Sequence, residues 1–206
     1  MILEKMIVGR LQANCYIVGC ENTKIGCIID PGSDAEVIAE EVRKHQLIIK
    51  YIVNTHGHMD HVAANNLVQD MCGGKIVIHQ DDAPMLDNTG SRNMVLPQTK
   101  MISISASQLL SDGDELQIGN LNMFVIHTPG HTPGGICLKI NGHLFSGDTL
   151  FAGSVGRWDF AGGSYKDLMN SIKKLILLPE STIVYPGHGS STTIGEEIKR
   201  NPFIKD

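Results

Sequence analysis

Apolar residues along the chain follow two periods, which together predict a protein of strands and helices. Short apolar and β-branched runs bounded by glycine, proline or asparagine are typical of strands. Val37, Ile38 and Val42 recur at helical spacing, which indicates a helix packed on a sheet. The predicted strands are 2–8, 12–19, 24–30, 48–53, 75–79, 115–118, 121–127, 135–140, 143–148 and 182–185. The predicted helices are 34–45, 61–71 and 165–178, a short one capped by Asp81-Asp82, and a short one that ends the chain.

The order of these elements suggests how they pack. Each half of the chain runs through strands first and then a helix, and no shift in composition marks a boundary, so we expect one domain over residues 1–206. Two β-sheets packed face to face with helices outside would bury these elements, although other α/β or α+β layouts are open. Asn141-Gly142 between two predicted strands is a strong hairpin signal. From Asn88 to about Ser111 the hydrophobic pattern is weak, so this segment is either a long loop or a loosely packed insertion near the functional site.

Composition and charge exclude several classes of protein. Of 206 residues, 42% are hydrophobic and 19% charged, as in soluble globular proteins, and no apolar run approaches the length of a membrane span. The net charge of −5 argues against nucleic-acid binding. Five cysteines make an odd count, and together with the missing signal-peptide pattern they favour free thiols in the cytoplasm. We therefore expect a cytoplasmic protein with neither nucleic-acid nor membrane partners.

The stretch 55–61, Thr-His-Gly-His-Met-Asp-His, places three imidazoles and a carboxylate within six positions after an apolar run. Histidine is the commonest metal ligand, and carboxylates accompany it in hydrolytic sites. In an extended segment alternate side chains point the same way, so His56 and His58 can hold one ion together. Asp60 and His61 can then turn toward a second ion. The alternative is a polar loop that is rich in histidine by chance.

Three further candidate ligands have a similar sequence context: each lies at a strand end or in a loop, beside glycine or proline. These are His131, Asp148 and His188. Glycine lets backbone and metal approach closely, and proline fixes the loop. Together with the first stretch they make seven candidate ligands, too many for one ion. Two metals bridged by a shared carboxylate would use them all.

This ordered set of motifs resembles the metallo-β-lactamase superfamily over nearly the whole chain. The resemblance implies an α/β fold, the αββα four-layer sandwich, with two mixed β-sheets face to face, helices outside and the metals at one edge between the sheets. It implies two divalent metal ions, with zinc expected first and iron or manganese as alternatives. By motif position, His56, His58 and His131 would hold the first metal, Asp60, His61 and His188 the second, and Asp148 would bridge them.

Within the superfamily the chain is most similar to glyoxalase II and its short relatives. The similarity rests on 14–16, on 150–157 and on the Pro-Gly-His-Gly of 186–189 followed by Thr-Thr-Ile-Gly-Glu. An aspartate at 148 is the ligand of this branch, where β-lactamases more often place cysteine, so antibiotic hydrolysis is not expected. The chain lacks the C-terminal helical region that supplies much of the glutathione contact in full-length glyoxalase II. Arg157 falls where the family has a basic residue facing glutathione, and it is the candidate substrate contact.

The resemblance implies a thioesterase that cleaves S-lactoylglutathione or a related small thioester. A metal-bridging hydroxide would attack the carbonyl, and Asp60 would act as a catalytic residue that orients it. Two other activities on this scaffold stay open: a mononuclear iron dioxygenase acting on persulfides, and a phosphodiester or RNA hydrolase. A non-catalytic metal-binding module is the alternative from a different class. The expected partner is a small-molecule thioester.

Overall fold

Two mixed six-stranded β-sheets form the centre of this computed structural model, which describes residues 1–87 and 105–204. The first sheet contains, in spatial order, β1 Ile2–Val8, β2 Ala13–Gly19, β3 Ile25–Ile29, β4 Ile48–Val53, β5 Lys75–His79 and β6 Gln108–Leu110. The second contains β14 Thr192–Thr193, β13 Ile183–Pro186, β10 His143–Gly147, β9 Ile136–Ile140, β8 Leu121–His127 and β7 Glu115–Ile118. A small ribbon pairs β11 Leu150–Phe151 with β12 Ser154–Val155.

Six helices accompany the sheets in the part of the chain that the structure describes. They are α1 Ala35–Lys44, α2 Met59–Val62, α3 Asn65–Cys72, α4 Ala83–Asp87, α5 Tyr165–Leu175 and α6 Ile194–Arg200. Within the described ranges no helix has the length and apolar character needed to cross a membrane.

Alternate residues of the strands face different apolar layers. On β2 and β3, Ile17 and Ile28 pack with Ile38 of α1 in an outer core. Their neighbours Val18 and Ile29 belong to the core between the two sheets. A third core joins the second sheet to α5 and α6. Helices therefore cover the outer face of each sheet, which confirms the predicted αββα sandwich.

Parallel strand pairs determine where the site can form. β3, β4 and β5 are parallel in the first sheet, and β10 and β13 are parallel in the second. The C-terminal ends of parallel neighbours meet at the same edge, where ligand sites collect in α/β folds. The backbone N–H of Ile136 donates to the carbonyl of Thr55 at 2.8 Å, which ties the start of β9 to the loop after β4. The loops that leave these strands can therefore converge.

All ten predicted strands and the Asn141-Gly142 hairpin are present, the latter with Ile140 paired to His143. The sequence did not reveal β11, β12 and β14, which are each two residues long and too short to show a period. β6 forms inside the stretch 88–111 that the sequence left undecided. Residues 88–104 of that stretch lie outside the described residues. All five cysteines are free thiols, and all but Cys72 are buried.

Two helix predictions were wrong in their bounds. The helix predicted over 61–71 is interrupted, because the N–H of Ala64 donates to the carbonyl of Pro31 at 3.1 Å, so α2 ends there and α3 starts anew. The helix predicted over 165–178 ends at Leu175. Pro179 follows shortly, and the residue before a proline is disfavoured in helical conformation.

Candidate metal centre

Four loops at one edge of the sandwich bring all seven predicted ligands together. They follow β4, β8, β10 and β13, and they carry the motif of 55–61, His131, Asp148 and His188 respectively. The N–H of Asn14 donates to the carbonyl of Gly187 at 2.7 Å, which holds the last loop against the first sheet. Residues that are more than a hundred positions apart in sequence thus share one small volume.

The first cluster consists of three imidazoles, His56, His58 and His131. Nε2 of His131 lies 2.9 Å from Nδ1 of His58, and the ring of His56 lies 4.8 Å and 4.9 Å from those two rings, centroid to centroid. Zinc–nitrogen bonds of 2.0–2.1 Å in a tetrahedron place two ligand nitrogens about 3.3 Å apart. The cluster is close to that spacing and offers three nitrogen ligands.

The second cluster combines a carboxylate with two imidazoles, Asp60, His61 and His188. Nε2 of His188 lies 3.3 Å from Nε2 of His61 and 3.2 Å from Oδ2 of Asp60. Nε2 of His61 lies 3.7 Å from the same carboxylate oxygen. This cluster offers one oxygen and two nitrogens.

Asp148 lies between the two clusters. Its Oδ1 is 3.6 Å from Nε2 of His61, and its Oδ2 is 3.6 Å from Nε2 of His131 and 3.7 Å from Nε2 of His188. The carboxylate therefore faces ligand atoms of both clusters. Its Oδ1 and the Nε2 of His56 are buried without a hydrogen-bond partner among the described residues. Buried polar atoms of this kind are rare in folded proteins, and a pair of cations would satisfy them. The donor set fits two divalent metals.

Hydrogen bonds on the far side of three imidazoles fix which nitrogen faces the centre. Nδ1 of His131 donates to the carbonyl of Arg157 at 2.7 Å, and Nδ1 of His61 donates to Oδ2 of Asp30 at 3.0 Å. The hydroxyl of Thr55 gives its proton to Asp30, so at 3.1 Å it accepts from Nδ1 of His56. In the neutral form of each ring Nε2 therefore keeps its lone pair toward the centre, as a metal ligand requires.

Asp30 is a residue of the site that the sequence did not reveal, because it was predicted only as the last residue of the strand over 24–30. Its side chain is buried and accepts from the N–H and the hydroxyl of Thr55, at 2.7 Å and 2.6 Å, and from His61. β3 and β4 are parallel neighbours that end together, with Ile29 opposite Val53. The predicted strand, helix, strand order could have indicated this meeting, since such units form parallel pairs.

Asp82 is a second missed residue. The sequence suggested a helix cap, and α4 does follow it, but its fully buried carboxylate also joins two ligand loops. Oδ2 accepts the N–H of Gly57 at 2.9 Å, and Oδ1 accepts the N–H of Gly134 at 2.6 Å. One carboxylate therefore sets the separation between the loop of His56 and His58 and the loop of His131.

Glycine beside the ligands permits the close packing that the sequence predicted. A Cβ added to Gly187 would lie 2.2 Å from Oδ1 of Asp148 and 2.8 Å from Cε1 of His61. A Cβ at Gly156 would lie 1.8 Å from the carbonyl oxygen of Asp148. A larger residue at either position would displace the shared carboxylate.

The two clusters differ in their electrostatics. Burial and the neighbouring imidazole of His131 lower the pKa of His58 to about 4, and burial lowers the pKa of His56 well below its usual value. In the second cluster burial opposes ionisation of His61, but Asp148 and Asp30 raise its pKa to about 9. The hydrogen bond to Asp60 raises the pKa of His188. Burial raises the pKa of Asp60, but His188 and His61 outweigh this effect and lower the pKa to about 2.

The comparison with known families shows which family the chain belongs to. Residues 8–188, which include every ligand candidate, match the family described as the metallo-beta-lactamase superfamily. The chain belongs to the metallo-β-lactamase superfamily. Members of this superfamily are typically metal-dependent hydrolases, and the fold binds divalent metals. The hydroxyacylglutathione hydrolase GloC of Haemophilus influenzae is 34% identical over 210 residues, which cover 99% of this chain and 98% of the relative.

Three crystal structures are similar to this chain in fold and sequence. BLEG-1, described as a B3 metallo-beta-lactamase, shares 37% identity with a TM-score of 0.91, covering 100% of both chains. TTHA1623 in a di-iron-bound form shares 34% identity with a TM-score of 0.85, covering 97% of this chain and 99% of that one. ETHE1 from Myxococcus xanthus shares 28% identity with a TM-score of 0.80, covering 98% of this chain and 84% of that one.

A cleft of about 370 Å³ opens onto both clusters of this superfamily member. It is lined by His58, Asp60, His131 and Asp148 together with Leu11, Met59, Phe160 and Ala161. A substrate in this cleft would contact ligands of both clusters at once.

Arg157 does not line this cleft. Its guanidinium makes a bidentate ion pair with Asp159, with both distances 2.9 Å, and lies 4.1 Å from the centre of the Phe160 ring. Its side chain is exposed to solvent. Substrate binding by the guanidinium stays a prediction, while the carbonyl of Arg157 has the separate role of orienting His131.

Proposed function

We propose that this protein is a metal-dependent thioesterase of the glyoxalase II type, and that S-lactoylglutathione is the substrate to test first. The observation that carries the proposal is Asp148, whose carboxylate lies within 3.7 Å of ligand nitrogens of both clusters and lines an open cleft. A shared carboxylate between two donor clusters is suited to a two-metal hydrolase. The similarity to a hydroxyacylglutathione hydrolase over 99% of the chain supports the thioester as substrate.

When bound, two divalent ions supply Lewis acidity and lower the pKa of water toward neutrality. His56, His58 and His131 would hold one ion, Asp60, His61 and His188 would hold the other, and Asp148 could contribute to both. We propose zinc as the first metal, while the similarity to a di-iron-bound structure makes iron the first alternative.

Asp60 is the residue that we assign to catalysis as well as to ligation. It lines the cleft, and its low pKa, about 2, keeps the carboxylate ionised at neutral pH. An ionised carboxylate accepts a hydrogen bond from an attacking water and so orients it toward the carbonyl. A thiolate leaves readily because the pKa of its conjugate acid is near 8.5, so the chain needs no strong general acid. The free cysteines are compatible with a cytoplasmic enzyme, which we also propose.

The test is hydrolysis of S-lactoylglutathione, followed as loss of thioester absorbance, by protein reconstituted separately with zinc, iron and manganese. We expect turnover with at least one metal at a stoichiometry of two, and none with the variant Asp148→Ala. Oxygen consumption with glutathione persulfide, supported by iron alone at a stoichiometry of one, would replace the proposal by the dioxygenase alternative that similarity to ETHE1 keeps open. Turnover of a chromogenic cephalosporin without thioester hydrolysis would point to the activity described for BLEG-1.

A further inference from the structure

The cleft beside the metal centre has one polar and one apolar wall. Its polar wall consists of the ligand side chains. Its other wall is formed by Leu11, Met59 and Phe160, which we call the apolar wall. Ala161 lines the cleft as well. These residues come from three separate segments: the turn between β1 and β2, the first residue of α2, and the loop after β12.

The side chains of the apolar wall remain accessible to solvent. Leu11 is 69% exposed, Met59 38% and Phe160 42%. Single exposed apolar residues are ordinary on protein surfaces, but three that converge on one cleft form a patch of the kind that marks a binding site. The Phe160 ring lies 5.6 Å from the His58 ring and 6.1 Å from the His131 ring, so the patch directly adjoins the first cluster.

The charges around the wall constrain which part of a thioester it can receive. None of the described residues that line the cleft is a cation. The guanidinium of Arg157 lies 4.1 Å from the centre of the Phe160 ring but does not line the cleft and is paired with Asp159. A polar thiol arm such as glutathione, which carries two carboxylates, would lose hydration against this wall without gaining a partner. The polar arm is therefore better placed in solvent at the open side of the cleft, which leaves the acyl group to contact the wall.

We propose that Leu11, Met59 and Phe160 form an acyl-binding subsite that favours thioesters with a straight apolar acyl chain over the hydroxyacyl group of S-lactoylglutathione. This inference rests on the proposed thioesterase function and names its substrate class. The free energy gained when an apolar acyl chain packs against the wall is proportional to the apolar area removed from water. The preference for longer acyl chains should therefore grow with chain length until the wall is covered.

The first experiment compares kcat/KM for the S-lactoyl, S-acetyl, S-butanoyl and S-hexanoyl thioesters of glutathione, so that only the acyl group changes. We expect kcat/KM to rise from acetyl to hexanoyl by up to about fourfold per methylene, which corresponds to about 0.8 kcal/mol per buried CH₂. We also expect S-hexanoylglutathione to exceed S-lactoylglutathione. A flat series, or one in which S-lactoylglutathione is the best substrate, would overturn the subsite.

Variants assign the preference to the wall. Leu11→Ser and Phe160→Ser are expected to lower the ratio of kcat/KM for hexanoyl over lactoyl thioester by roughly threefold to tenfold each, mainly through KM. Leu177→Ser is the matched control, because Leu177 is an apolar residue that is 85% exposed and does not line the cleft. It should leave the ratio unchanged. Equal ratios in all three variants would assign the preference elsewhere and contradict the proposal.

A binding measurement separates this inference from the proposed function. S-hexylglutathione and S-methylglutathione are thioethers that cannot be hydrolysed, and calorimetry on the metal-loaded protein reports their affinities without turnover. We expect S-hexylglutathione to bind at least about tenfold more tightly, with a more negative heat-capacity change, and Phe160→Ser to remove most of the difference. If no thioester is hydrolysed but this preference holds, the proposed function fails and the subsite stands. If thioesters are hydrolysed and the two thioethers bind equally, the subsite fails.

Discussion

The two clusters of the candidate metal centre lie side by side, but their surroundings shift the pKa values of their histidines in opposite directions. The first consists of imidazoles alone, and burial lowers the pKa values of His56 and His58 so that both rings are neutral over the physiological range. The second is surrounded by carboxylates, which raise the pKa values of His61 and His188 and stabilise their protonated forms. His56 and His58 therefore offer free lone pairs, while the second cluster would have to release protons in order to bind an ion.

The largest effect is expected where the two clusters meet. Asp148→Ala removes a carboxylate that faces ligand atoms of both clusters, so we expect metal content to fall from two equivalents to one or fewer. Activity should fall by more than about 100-fold, since even residues that only support a ligand cost up to that much. Metal analysis and the thioester assay measure both. Asp159→Ala is the control, because that carboxylate is exposed and pairs with Arg157. Full metal content in Asp148→Ala would refute the bridging assignment.

The metal affinities of the two clusters should respond differently to acidification. A proton on His61 competes with the metal below the pKa of that residue, about 9, so affinity at the second cluster should fall by about tenfold per pH unit as the pH decreases. The pKa of His56 is lowered and that of His58 is about 4, so protons on these two rings should not displace an ion from the first cluster over the same range. Titration against a competing chelator at several pH values measures both affinities, and loading the second cluster near neutral pH should release at least one proton. One common pH midpoint for both ions would contradict this comparison.

Asp30→Asn tests the support that both clusters share. The change removes a carboxylate that fixes His61 directly and His56 through Thr55, so both affinities should fall, by roughly 10-fold to 100-fold at the second cluster and less at the first. Calorimetric metal titration measures this effect. Asp34→Asn is the control, since its carboxylate accepts the exposed N–H of Gly9 and contacts no ligand candidate among the described residues. A loss confined to the first cluster would show that the Thr55 contact, not the His61 contact, is the important one.

Asp82→Asn should affect the first cluster alone. An amide cannot accept from both Gly57 and Gly134, so the loops that carry His58 and His131 would separate. We expect roughly tenfold weaker binding at the first cluster and a shifted visible spectrum of cobalt bound there, with the second cluster unchanged. Asp81→Asn is the matched control, because the neighbouring carboxylate is about half exposed. Equal changes at both clusters would indicate general destabilisation.

The smallest effect is expected at Arg157. Its guanidinium is exposed and paired with Asp159, and such surface pairs contribute about 1 kcal/mol or less, so Arg157→Ala should change kcat/KM for S-lactoylglutathione by less than about fivefold. The carbonyl that orients His131 is retained in the variant. An increase in KM of more than about tenfold would instead support the sequence-based prediction that Arg157 binds the substrate.

Much of this protein could be predicted from its sequence alone. Alternation along the strands and the Asn141-Gly142 turn depend on local chemistry, and the strands they predicted are present. The donor types were also visible, because histidine and aspartate beside glycine or proline are recognisable without coordinates. The pairing of ligands into two clusters came from resemblance to a family, and the structure brings those same residues together.

The tertiary structure alone determined the contacts between segments that are distant in the sequence. Asp30 could be recognised as part of the site only once β3 was placed beside β4, and Asp82 only once its carboxylate was seen between two loops. The apolar wall joins Leu11 to Phe160 across 149 positions of sequence. Local chemistry determines what each segment can form, but the order in which strands pair determines which side chains meet, because those contacts arise only when the sheets assemble.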